Sequence, residues 1–140
     1  MSVIHQVYQV DADDFTRAGE ASADIKRKLK QLGVPSIVLR RVAVASYEVE
    51  LNLVIHSDGG TLSLLVDADG VHLCSQDVGP GIPDVEQAMQ EGYSTANDEA
   101  RSLGFGAGMG LPNMKRNADA FSIESEVGKG TTIRMSFALT

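Results

Sequence analysis

Apolar positions along the chain switch between two periods, two residues and about 3.6, and the switches divide it into elements. Residues 3–10, VIHQVYQV, are rich in β-branched side chains and put Ile4, Tyr8 and Val10 on one face, which predicts a first strand. From Asp13 to about Leu32, Phe15, Ala18, Ile25, Leu29 and Leu32 recur at helical spacing. Acids come early in that stretch and KRKLK late, the order a helix dipole favours. Gly33 and Pro35 interrupt the pattern, and a second helix is expected from about Ser36 to His56, with Val38, Val42, Ala45, Val49 and Leu53 as its apolar stripe.

Two strands follow, TLSLLVDA and GVHLCSQD, joined at Asp69-Gly70, a strong hairpin signal. Leu62, Leu64 and Val66 share a face of the first; Val71, Leu73, Ser75 and Asp77 share a face of the second. DVGPGIPD then leads into a short helix near Asp84 to Glu91, and GYSTANDEARSLGFGAGMG is the longest irregular segment. A helix starts near Leu111, with Pro112 tolerated in its first turn. The strands AFSIESE and TTIRMSFAL meet across VGKG. This order predicts an α+β sandwich of two layers, a mixed, mainly antiparallel sheet with its helices on one face.

Composition narrows the function. With 140 residues, 43% of them hydrophobic, the chain fits one compact domain, residues 1–140. A net charge of -7 argues against general attraction to nucleic acid or anionic membranes. No run approaches the roughly 18 apolar residues of a membrane span, and MSVIHQVYQV lacks the layout of a secretion signal, so a cytoplasmic location is expected. The lone cysteine, Cys74, is expected to be a buried structural thiol.

Candidate chemistry gathers at four places. On the second helix Glu48, Asn52 and His56 fall in one narrow strip, whereas Glu50 points about 200° from Glu48 and is expected to be solvated. The strip reads either as a solvated helix face or as a pocket wall at the core's edge. Alternation turns Asp77 inward, where a carboxylate needs donors; a base's amino group or the backbone N–H groups of a plain turn would serve. Gly79 and Gly81 remove side chains where a flat ligand could approach. Glycines 104, 106, 108 and 110 precede a helix N-terminus, which offers N–H groups to an anion, although the spacing matches neither the P-loop nor the dinucleotide fingerprint. Thr131 has the parity of Ile133, Met135 and Phe137, so its hydroxyl is expected to face the same layer as Asp77. The KRKLK run reads as a solvated helix end or as a docking patch for an acidic partner.

EVELNLVIH, DVGPG, GFGAGMG and GKGTT occur in the order and spacing of the N, G1, G2 and G3 boxes. Over about residues 36–140 the chain therefore resembles the superfamily of gyrase, Hsp90, histidine kinases and MutL, whose ATP-binding unit is called the Bergerat fold. Within it the chain is most similar to small stand-alone serine kinases that act as anti-sigma factors or as switch kinases of stress-response complexes. The resemblance implies ATP and Mg2+ as cofactors. Asp77 would bond the adenine amino group with Thr131 beside it; Gly79, Gly81 and Ile82 would border the base. Asn52 would hold Mg2+, and Glu48 would be the general base. Residues 84–108 would form an ATP lid, Arg101 would reach the γ-phosphate, and Gly104, Gly106, Gly108, Met109, Gly110 and Leu111 would complete the ATP site. Leu53, following Asn52, departs from the small residue common in such kinases. The implied activity is phosphorylation of a STAS-like anti-anti-sigma protein or another regulatory protein, with a homodimer through the exposed sheet face compatible. An ATP-gated binding module or weak ATPase of a regulatory or redox system is the competing reading.

Overall fold

The computed structural model describes residues 2–82, 85–89 and 110–139. In chain order these form β1 (Ser2–Val10), α1 (Glu20–Gln31), α2 (Ser36–His56), β2 (Gly60–Asp67), β3 (Gly70–Asp77), α3 (Val85–Ala88), α4 (Gly110–Asn117), β4 (Ala120–Glu126) and β5 (Gly130–Phe137). The five strands make one sheet in the order β1-β2-β3-β5-β4. Each of its four described pairings is antiparallel.

Alternation decides which side of the sheet is covered. Leu64 lies opposite Leu73, Leu73 opposite Met135, and Ser75 opposite Ile133, so the inward residues of three strands form continuous rows. Ile25 and Leu29 of α1, Val38, Val42, Ala45, Val49 and Leu53 of α2, and Met114 of α4 close over those rows as one buried cluster. The α+β sandwich expected from the two periods is the architecture found. Leu53 belongs to this core, so its bulk is spent on packing and does not reach the polar strip of α2. Cys74 has the opposite parity. It lies half-buried on the uncovered face, paired across the strands with Ser63 and Arg134, and is not the buried thiol expected.

Three local expectations change for physical reasons. First, α1 begins at Glu20, not near Asp13. Residues 11–19 form turns in which Asp13 sits at φ 58 and gives its N–H to the Val54 carbonyl at 2.8 Å. Gly19, at φ 100, holds a left-handed conformation that an α-helix cannot continue through. Phe15 and Ala18 therefore satisfy helical spacing yet pack onto the core from turns.

Second, Glu50 is not solvated: it is 2% exposed. Its carboxylate accepts the backbone N–H groups of Ala21 (3.1 Å) and Ser22 (2.9 Å). Gly19 has no side chain to cap α1, so a carboxylate from α2 satisfies the free donors of its first turn and meets the positive end of its dipole. Third, the β2–β3 hairpin turns at residues 68–69, and Gly70 already pairs with Asp67. Asp67 Oδ1 accepts N–H groups from Asp69 and Gly70, an Asx turn that sets this register.

Candidate functional site

Glu48 and Asn52 stand one turn apart on the side of α2 that meets α4. A Cβ at Gly110 would lie 3.3 Å from both Asn52 Oδ1 and Glu48 Oε2, so glycine lets the first residue of α4 rest directly over the two oxygens. The carboxylate of Glu48 also receives a side-chain hydrogen bond from Asn113. Asn113 Oδ1 in turn accepts from Arg116 at 3.1 Å, which leaves its amide N–H groups facing the carboxylate. Burial raises the Glu48 carboxyl above the ordinary glutamate range, and the Asn113 bond opposes that rise. His56, one turn further along, is half-buried, and desolvation lowers its basicity.

Asp77 ends β3. Its Oδ1 accepts the backbone N–H of Thr131 at 2.8 Å. No donor among the described residues engages Oδ2, which leaves one oxygen of a half-buried carboxylate available to a ligand. Desolvation raises its pKa most, the Thr131 bond opposes this, and the nearby Asp58 charge raises it further. Thr131 is buried as its parity requires, and its hydroxyl meets Ser125 Oγ at 2.8 Å. Ser125 Oγ also accepts the Ile82 N–H at 2.7 Å, which ties the loop after Asp77 to the β4–β5 hairpin.

The two glycines of that loop serve the protein's own packing. A Cβ at Gly79 would stand 3.2 Å from the Asp58 nitrogen and 3.3 Å from the Ser57 Cα. Gly81 adopts φ 75, and a Cβ there would lie 2.5 Å from the Glu126 carbonyl oxygen. Both missing side chains thus face backbone of the protein itself. Ile82 packs on the edge of the core.

The same close packing joins the two halves of the site. Asp58 N–H donates to Val78 O at 2.8 Å and Val78 N–H to Gly59 O at 3.1 Å, lacing the end of α2 to the turn that follows Asp77. The end of α2, which carries Glu48 and Asn52, and the end of β3, which carries Asp77, are therefore hydrogen-bonded to each other. Leu111 and Pro112 are buried at the start of α4. Arg101, Gly104, Gly106, Gly108 and Met109 lie outside the described residues, as does most of the expected lid.

Asn113 and Ser125 are absent from the residues the sequence points to, and Glu50 is there with the wrong surroundings. The alternation of β4 carries the signal for Ser125, because Phe121, Ile123 and Ser125 share the inward parity. The other two act across elements.

Residues 39–140 match the family model described as histidine kinase-, DNA gyrase B-, and HSP90-like ATPase. The chain belongs to this family. Among its relatives, the serine/threonine-protein kinase RsbT of Bacillus subtilis (strain 168) is 34% identical over 109 residues, covering 75% of this chain and 76% of that one. An anti-sigma F factor of Geobacillus stearothermophilus is 32% identical over 114 residues, covering 77% and 75%. A chain in the crystal structure of the SiaB-SiaC complex from Pseudomonas aeruginosa superposes with a TM-score of 0.60 over 96% of this chain and 88% of that one; at 12% identity this shows a shared fold alone. Within the histidine kinase-, gyrase- and HSP90-like family, the chain is an ATP-binding serine/threonine-protein kinase. No helix among the described residues is long and apolar enough to cross a membrane.

Proposed function

We propose that the chain uses Mg-ATP, in the cytoplasm, to phosphorylate a serine or threonine of a STAS-like regulatory protein. The observation that carries this reading is the placing of Glu48 and Asn52 beneath Gly110, the first residue of α4. A base, an oxygen ligand and a helix N-terminus thus converge at one point.

Each residue has a chemical part. Asp77 Oδ2 accepts the amino group of adenine, while Thr131 holds the other oxygen. The first-turn N–H groups of α4 receive phosphate oxygens. Asn52 would offer Mg2+ a neutral oxygen donor and leave the remaining positions to phosphate and water. The metal would supply neutralisation of phosphate charge there. Glu48 accepts the proton of the partner's hydroxyl as its oxygen attacks the γ-phosphorus and ADP leaves; a carboxylate made more basic by burial suits that task. Arg101 and the glycines from Gly104 to Gly108 keep the roles the resemblance implies, on the γ-phosphate and in the lid.

The test is incubation with labelled ATP, Mg2+ and a STAS protein encoded beside this one. Phosphoserine or phosphothreonine on that protein is the expected product. Its absence from every such protein, with ATP bound, would point to the second reading, an ATP-gated binding module or weak ATPase. The Asn113 bond to Glu48 favours that alternative, because it engages the carboxylate that must act as base.

A further inference from the structure

Charge is distributed unevenly in this acidic chain. Residues 25–47 hold six Lys and Arg and neither Asp nor Glu, within a protein of net charge -7. Some of those cations have internal partners: Arg27 and Lys28 pair with Asp24, and Arg41 pairs with Asp119. Lys26, Lys30 and Arg40 are exposed and have no ion-pair partner among the described residues. On α1, Lys26 and Lys30 lie about 160° from Asp24 and Lys28, the pair that turns toward Tyr8 on β1.

Helix α2 presents apolar residues outward as well as inward. Val38, Val42, Ala45 and Val49 fill the core. On the other side Ile37 is 65%, Val44 42% and Tyr47 38% exposed. Ile37 and Val44 are seven residues apart, as are Arg40 and Tyr47, so the four residues repeat as the a and d positions of a heptad seam. Such a seam takes a second helix lying along it. Arg40 occupies one seam position, and covering it with an apolar side chain would strand a cation, so the covering helix must bring a carboxylate there. A second copy of this chain is a poor occupant, because it would set one cationic segment against another.

We infer that the outer face of α2, flanked by Lys26 and Lys30, docks an acidic amphipathic helix of a partner protein. The partner's apolar seam covers Ile37, Val44 and Tyr47, and its carboxylates meet Arg40 and the α1 lysines. Glu48 and Asn52, which face α4, border this surface, with Glu48 one turn beyond Val44.

The test uses the full chain and a synthetic three-heptad helix with Leu at a and d, Glu at the flanking positions and one Glu in the seam. Controls are a scrambled peptide of the same composition, a Lys-for-Glu version and phosphatidylglycerol vesicles. The acidic helix should bind and weaken with salt, whereas the scrambled and Lys versions should not bind. Ile37→Asp, Val44→Asp and Arg40→Glu should each weaken it about tenfold, the loss expected of a central interface residue. ATP binding should stay unchanged in Ile37→Asp and Arg40→Glu, the two substitutions away from Glu48, which separates docking from the nucleotide site and from misfolding. Arg40→Glu should regain affinity for a helix carrying Lys at the seam position. Equal binding of the scrambled peptide, an unaltered affinity in Arg40→Glu, or equal capture of the vesicles through the same residues would overturn the inference.

Discussion

Asp77 and Glu50 show how differently two carboxylates can be legible. Asp77 is read by parity alone, because a strand turns every second residue to the same side and its neighbours Val71 and Leu73 fix that side as the core. Helical spacing assigns Glu50 a direction but does not say what stands there, and the first turn of α1 stands there. Asp77→Asn should lose ATP binding. Its carbonyl oxygen would stay on the Thr131 N–H, and the amide would then point a donor at the donor amino group of adenine. Calorimetry with ATP checks this, and a tight complex would refute the adenine role. Because burial raises the Asp77 pKa, ATP affinity of the unaltered protein should fall on acidification at a pH above the ordinary value of 3.8. Glu50→Ala should leave two buried N–H groups unpaired and cost about 2 kcal/mol, measured by urea unfolding.

At the scale of elements, strands and helix cores were readable because their periods are local, while the start of α1 was not. Phe15 and Ala18 fit the helical period, and the competing signal was a single glycine whose left-handed φ ends the pattern. What fastens α1 to the sheet was equally hidden: Tyr8 of β1 donates to Asp24 Oδ2 at 2.6 Å. That bond is the largest influence holding the Asp24 pKa down at about 2. A depressed carboxylate contributes stability above its unfolded value of 3.8 and loses it as pH falls through about 2. Tyr8→Phe should therefore be less stable than the parent at neutral pH, and the difference should shrink through that acid window. Denaturation midpoints of the two proteins across pH provide the measurement; a gap that stays constant would show that Asp24 is not the group involved.

Across the whole molecule the candidate site depends on the alignment of α2 with α4, since Glu48 and Asn52 belong to one helix and Gly110 and Asn113 to the other. The far end of that helix pair carries the brace. Arg41 Nε donates to the Asn117 carbonyl at 2.7 Å, and its guanidinium also bonds Asp119 Oδ1 at 2.9 Å. Asp119 Oδ2 accepts the Ala138 N–H at 2.7 Å, so α2, the end of α4 and the end of β5 meet at one ion pair. The pair is partly exposed and its Coulombic share is screened by solvent. Removing it should lower Tm by only about 3 °C in a chain of this size. The effect on catalysis should be larger than that on stability, because the site is assembled between the two helices: a Cβ at Gly110 would lie 3.3 Å from oxygens of both Asn52 and Glu48. A small tilt of α4 moves the phosphate-binding end away from the base. Arg41→Ala should accordingly keep its fold and its adenine contact while phosphotransfer falls about tenfold, the loss that misplacing reacting groups by a fraction of an ångström produces. Arg41→Lys, which keeps the charge but not the planar two-way bond, should recover only part of the rate. Measuring Tm, ATP affinity and turnover together checks this, and a turnover that follows Tm alone would show that the brace stabilises the fold without aligning the site.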